Sequence, residues 1–99
     1  MSEIKIPFKQ WSKERLKINK RATSRTKIYG KIDDDFYVDG VKFAIVGVIK
    51  LPVDYIIRYL YGIEGAESSS ELEEVLKCIF KNKKIPYYLY THFFERVDE

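Results

Sequence analysis

Two rhythms of apolar and polar residues alternate along this chain. Ile4 and Ile6 alternate with Glu3 and Lys5, a period of two that predicts a short strand with one buried face, and Pro7 follows where a helix can begin. From Phe8 to about Asn19 the period lengthens. Phe8, Trp11, Leu16 and Ile18, with the long stem of Arg15, follow helical spacing, while Lys9, Lys13, Glu14 and Lys17 fill the other side. The pattern predicts an amphipathic helix with a basic outer face that stops at Asn19. Ala22 to Tyr29 then reads as extended chain ending at Gly30.

Phe36 to Val38 and then Val41, Phe43, Ile45 and Val46 are β-prone runs, with Asp39-Gly40 between them. Asp-Gly between β-prone runs favours a type I′ turn, so a hairpin is expected here. Val41 to Ile49 is apolar at nearly every position beyond Lys42, which predicts a central strand covered on both faces, with Gly47 marking a bulge or a close backbone approach. Pro52 ends that strand. Val53, Ile56, Ile57, Leu60 and Tyr61 recur at helical spacing with Asp54 near the start, predicting a short second helix. Ser68 and Glu71 have the spacing of a capping box, and Leu72, Val75, Leu76, Ile79 and Phe80 trace one stripe of a third helix. Lys81, Lys83 and Lys84 follow, where positive charge meets the negative end of a helix or, equally, an RNA. The aromatic run Tyr87 to Phe94, bounded by Pro86, predicts a final strand.

Strands separated by helices without regular βαβ alternation predict an α+β fold, with a curved or barrel-like, largely antiparallel sheet and helices packed at its ends. The 99 residues, 45% of them apolar, suit one core and one domain. No apolar run approaches the ~20 residues of a bilayer span and the N-terminus lacks a signal-peptide pattern, so a cytoplasmic protein without membrane partners is expected. A single cysteine, Cys78, and a single histidine, His92, set aside disulfide and zinc scaffolds. Asp33, Asp34 and Asp35 lack the ligand spacing of a calcium loop and read as a solvated turn. No metal and no cofactor is expected.

Charge changes the picture. The net charge of +3 divides unevenly: Met1 to Lys31 holds ten Lys or Arg against Glu3 and Glu14, a net of +8, which leaves −5 for the remainder. A concentrated basic third is what a polyanion-binding face looks like, although a basic helix solvated on its outer side has the same composition. Within that third, Asn19 to Gly30 packs Lys20, Arg21, Arg25 and Lys27 with the hydroxyls of Thr23, Ser24 and Thr26, a combination suited to phosphate. Tyr29 beside Gly30 is placed to stack on an exposed base. A second segment, Tyr61 to Leu72, sets Glu64 between Ile63 and Gly65, where no helix needs a carboxylate. With Gly62 and Gly65 bracketing a tight loop, Glu64 is a candidate to face the basic segment, the alternative being a solvated loop residue.

Lys20, Thr23 and Arg25 after the first helix, Tyr29-Gly30 shortly beyond, Asp34-Asp35 before the strand at Phe36, Glu64-Gly65 and a late His92 on an aromatic strand together resemble the ASCH domain family. The resemblance runs from about Ile4 to Phe94 and rests on order and spacing, since each motif is short. Asp34-Asp35 stands where the family usually has Gly-Asp. The resemblance implies a PUA-like β-barrel with a cleft between barrel and helices, and RNA binding as the general expectation. It also implies a sharper possibility: small bacterial members hydrolyse the amide of 4-acetylcytidine with a lysine, a threonine and a glutamate, which fall on Lys20, Thr23 and Glu64.

That chemistry needs a base able to take the threonine proton, and a lysine serves if desolvation lowers its pKa. Two conditions attach to it. Three positions apart on a regular strand, Lys20 and Thr23 face opposite ways, so the chain must end its helix or bend near Lys20; and a paired Glu64 holds Lys20 in its charged form. The leading expectation is an RNA- or nucleoside-binding module using Lys17, Lys20, Arg21, Thr23, Ser24, Arg25, Lys27, Tyr29, Glu64 and His92, with RNA or a modified nucleoside as partner. The amidohydrolase is the second. A ribonuclease working through His92 and lysines is the third, against a His92 that is simply a satisfied core residue.

Overall fold

A computed structural model describes residues 3–81 and 83–97. The elements follow the order read from the pattern, with one loss: α1 (Gln10–Leu16), β1 (Ala22–Arg25), β2 (Asp35–Val38), β3 (Val41–Pro52), α2 (Val53–Tyr59), α3 (Ser69–Phe80) and β4 (Tyr88–Arg96). The strands form one antiparallel sheet in the order β1-β4-β3-β2, curled into a half-barrel. The two longest strands lie at its centre, and β1 and β2 form the edges.

Local chemistry accounts for the shape. Asp39 (φ 50°) and Gly40 (φ 81°) both adopt positive φ, the requirement of the two-residue turn that joins β2 to β3. Along β3, Ile45 faces Phe94 of β4 and Gly47 faces Phe93, so Val46 is an extra residue and the strand bulges as Gly47 suggested. The bulge bends β3 around an aromatic cluster in which Phe94 meets Phe36 and Phe43 edge-on at 5.2 and 5.5 Å. Ile6, Leu16, Val38 and Ile45 complete this first core. A second, of Val53, Ile56, Ala66, Leu72, Leu76 and Leu89, packs α2 and α3 against the far half of the sheet, with Trp11 of α1 at its margin. Ser68 caps α3 as its spacing predicts, its Oγ accepting the Glu71 N–H at 3.1 Å.

Several expectations are corrected. Ile4 and Ile6 do not form a strand: a single parallel bridge joins Glu3 to Asp35, with the Ile4 N–H on the Asp35 carbonyl at 2.7 Å. Pro7, which has no N–H, cannot extend the ladder. The first helix spans Gln10–Leu16 rather than Phe8 to Asn19, because the Arg15 carbonyl gathers the N–H groups of Ile18, Asn19 and Lys20 and closes the helix early, leaving Ile18 exposed. The first strand stops at Arg25. β3 is not covered on both faces, since Val46 and Ile49 stand about half exposed, at 49% and 51%. Left-handed backbone in the aspartate turn falls on Asp33 (φ 74°), while Asp34 is buried and accepts the Lys31 N–H at 2.9 Å. Among the described residues, no helix is long and apolar enough to cross a membrane.

Candidate functional site

Among the described residues β1 is an edge strand with a strand partner on one side only, and the loop between α2 and α3 docks on the other. The Ile63 carbonyl accepts both the Arg21 N–H (2.7 Å) and the Ala22 N–H (3.0 Å), which fixes the next residue, Glu64, beside the chain entering β1. Gly65 makes this approach possible. Its φ of 100° is one that L side chains rarely adopt, and a Cβ there would lie 2.8 Å from the Arg15 Cβ and 3.0 Å from the Lys20 Cβ.

Lys20 and Glu64 meet at this junction, 3% and 4% exposed. The Lys20 Nζ donates to the Glu64 carbonyl at 2.8 Å and to its Oε1 at 3.3 Å. The second carboxylate oxygen, Oε2, accepts the Ser24 hydroxyl at 2.5 Å, and Ser24 in turn lies 2.8 Å from the Thr91 Oγ1 on β4. Burial pushes the Lys20 pKa below the ordinary lysine value of 10.5. The Glu64 charge and hydrogen bond oppose that shift without cancelling it, and the Arg25 charge adds to it. Glu64 thus favours the charged form of Lys20, as expected for a paired carboxylate, while desolvation sets the net direction of the shift.

These groups form the floor of a cleft of about 770 Å³ between the β1 edge and α3. Thr23, Ser24, Arg25 and Tyr29 border it from the sheet side, and α3 supplies a wall that includes Val75, Ile79 and Phe80. Thr23 is buried, and its Oγ1 accepts the Arg25 Nε–H at 3.0 Å rather than meeting Lys20. The two conditions on the Lys20 and Thr23 pairing thus resolve in part. The chain does turn between Lys20 and β1 and both residues reach one cleft, but the hydroxyl bonded to the Lys20–Glu64 pair is that of Ser24. The Arg25 guanidinium sits over the rings of Phe8 (5.0 Å) and Tyr29 (5.7 Å), and burial lowers its pKa below the ordinary guanidinium value against the opposing pull of Tyr29 and Glu64.

The other expected residues lie elsewhere. Lys17 is exposed on the opposite flank, 4.0 Å from Asp39 at the hairpin tip. Arg21 donates to the carbonyls of Leu16 (3.0 Å) and Lys20 (2.7 Å) over the Phe43 ring, tying α1 to the sheet. Lys27 is exposed, its ammonium 4.9 Å from the Tyr29 ring. His92 is fully buried on β4: its Nε2 accepts the Tyr29 N–H at 3.0 Å, and its Nδ1 lies 3.1 Å from the Tyr90 carbonyl and 3.3 Å from that of Thr23. Two facing carbonyls place the proton on Nδ1, so the ring is a neutral brace for the Tyr29 backbone. Burial lowers its pKa below 6.5, outweighing its bonds to those carbonyls. Thr91 and the α3 wall escaped the sequence reading. Thr91 faces Ser24 through cross-strand register, and the α3 stripe read simply as core.

No protein-family model and no curated protein matches the sequence. Among solved structures, the fold is similar to that of an ASCH domain from Lactobacillus crispatus JV V101, with a TM-score of 0.72 over 96% of this chain and 78% of that one, at 14% sequence identity. The fold is thus ASCH-like, α+β and PUA-like, as the resemblance implied.

Proposed function

We propose that the cleft binds a nucleoside, free or as an unpaired base of an RNA, through the Lys20–Glu64 pair on its floor. The observation that carries this is the pair itself. A buried ion pair is commonly no more stabilising than apolar residues of the same volume, so its place on a cleft floor favours a binding role over a purely structural one. The Lys20 ammonium has three N–H groups and two protein acceptors, and each Glu64 carboxylate oxygen accepts one bond, so donor and acceptor capacity remains for the edge of a base. Arg25 and Tyr29 at the border suit stacking, and the α3 wall suits an apolar substituent. The charged groups bordering the cleft also include Lys9, Lys83, Glu71 and Glu74, a balanced set that suits a neutral ligand better than a long polyanion.

The amidohydrolase is a second reading, favoured by the lowered pKa of Lys20 in a cleft that also holds Thr23. In that reaction the Thr23 Oγ bonds to the amide carbonyl carbon and its proton passes to a neutral Lys20 amine. The carbon–N4 bond then breaks, N4 leaves with that proton, and water cleaves the resulting ester to acetate. Lys20 would have to exchange Glu64 for Thr23 as the ligand enters. His92 leaves little for a ribonuclease, because both ring nitrogens are engaged inside the sheet.

One preparation tests both readings: calorimetric titration with cytidine and 4-acetylcytidine, and chromatography of 4-acetylcytidine incubated with the protein. Binding that weakens at least tenfold in Glu64→Gln is expected. Cytidine formation lost in Lys20→Ala and Thr23→Ala would make the protein an enzyme; binding without turnover would leave a binding module. No binding of either nucleoside at millimolar concentration would remove the reading.

A further inference from the structure

We infer that Ser24, backed by Thr91, is a positioning residue that holds the Glu64 carboxylate for the ligand, an inference that rests on the nucleoside reading of the cleft. Ser24 has one hydroxyl proton and two oxygen neighbours, the Glu64 Oε2 at 2.5 Å and the Thr91 Oγ1 at 2.8 Å. An ionised carboxylate can only accept, so the Ser24 proton goes to Glu64 and Thr91 must donate to Ser24. The result is a directed chain, Thr91 to Ser24 to Glu64, in which each bond polarises the next.

The backbone fixes this chain before any ligand arrives. Ser24 and Thr91 are directly opposed in the antiparallel pairing of β1 with β4, and Thr91 is wholly buried, so its hydroxyl cannot turn to water. Glu64 is thereby held through both oxygens, Oε1 by Lys20 and Oε2 by Ser24. Only with both in place do the remaining acceptor positions of the carboxylate keep a set direction toward the cleft. Freed from Ser24, the carboxylate can turn about its last side-chain bond while still paired to Lys20. Thr23, the neighbouring residue, has no such role, because its Oγ1 is bonded to Arg25.

Ser24→Ala should weaken cytidine or 4-acetylcytidine binding about tenfold, the size of one lost charge-assisted hydrogen bond. Ser24→Thr should restore affinity to within about threefold, since it returns the hydroxyl. Thr91→Val should show a smaller loss in the same direction. Because Ser24 acts through Glu64, adding Ser24→Ala to Glu64→Gln should weaken binding by less than twofold beyond Glu64→Gln alone, a coupling that a purely structural residue would not show. Thermal unfolding of each variant, with binding measured well below every midpoint, separates affinity from folding. Wild-type affinity in Ser24→Ala, or losses that simply multiply in the double variant, would overturn the inference while leaving the nucleoside reading intact. Failure of the wild-type protein to bind either nucleoside would remove that reading, and this inference with it.

Discussion

Lys20 sits at 3% exposure with a carboxylate beside it, and burial and pairing pull its charge in opposite directions. Desolvation wins, so Lys20 gives up its proton more readily in the folded chain than in the unfolded one. Over the interval from its lowered folded pKa up to 10.5, the unfolded state therefore binds more protons, and stability attributable to this residue rises with pH. Denaturant unfolding of the wild type and of Lys20→Met across alkaline pH checks the sign: the stability of the wild type relative to the variant should climb as pH approaches 10.5. A relative stability that falls with rising pH would mean that Glu64 dominates and that Lys20 is no candidate base. The spacing of Lys20 and Thr23 and the isolation of Glu64 between Ile63 and Gly65 were legible in the sequence. The choice of Ser24 as the hydroxyl on Glu64 was not, since it depends on which side of an edge strand the loop docks.

At the scale of elements, what reads correctly is what local chemistry decides. Asp39-Gly40 makes the hairpin, Gly47 follows the bulged residue, and Ser68 caps α3, each through interactions within a few residues. What reads poorly depends on partners distant in the chain. β1 pairs with β4 across more than sixty residues, so nothing near Ala22 announces that it is an edge strand. The α3 stripe faces two ways, with Leu72 and Leu76 buried in the second core and Val75, Ile79 and Phe80 less buried at the cleft. That makes the cap a functional lever. Ser68→Ala removes the acceptor for the Glu71 N–H and should cost about 1 kcal/mol. Fraying the first turn also loosens the cleft wall at Glu71 and Leu72, so nucleoside affinity should fall a few-fold even where the protein is fully folded. A variant that loses stability while binding cytidine as the wild type does would show that the ligand does not use this wall.

Across the whole molecule, the basic third read from composition is dispersed by the fold. Arg15 lies over the Trp11 ring and 3.9 Å from Glu71, Lys17 is near Asp39, Lys20 is buried with Glu64, Arg21 holds main-chain carbonyls, and Arg25 is sandwiched near Phe8 and Tyr29. Four of the ten cations, Arg15, Lys20, Arg21 and Arg25, are thus engaged by partners within the fold, while Lys17 stays exposed beside Asp39, and the four include those the composition placed closest together. The count that made a polyanion face attractive is therefore a poor guide to the field at the cleft, where Glu71 and Glu74 stand with Lys9 and Lys83. The distinction is measurable. A single strand held by Z cations loses affinity with salt at a slope of about −0.7Z, so a face using most of the basic third would give roughly −5 or steeper. The fold predicts a slope for single-stranded RNA no steeper than about −2, with nucleoside affinity nearly independent of salt. Titrations of an unstructured oligonucleotide and of cytidine between 50 and 300 mM salt decide it. A steep slope would return the exposed cations Lys5, Lys9, Lys27 and Lys31 to the centre of the account and make the cleft one stop on a longer RNA track. A shallow one would place recognition at the buried Lys20–Glu64 pair, where salt has little reach.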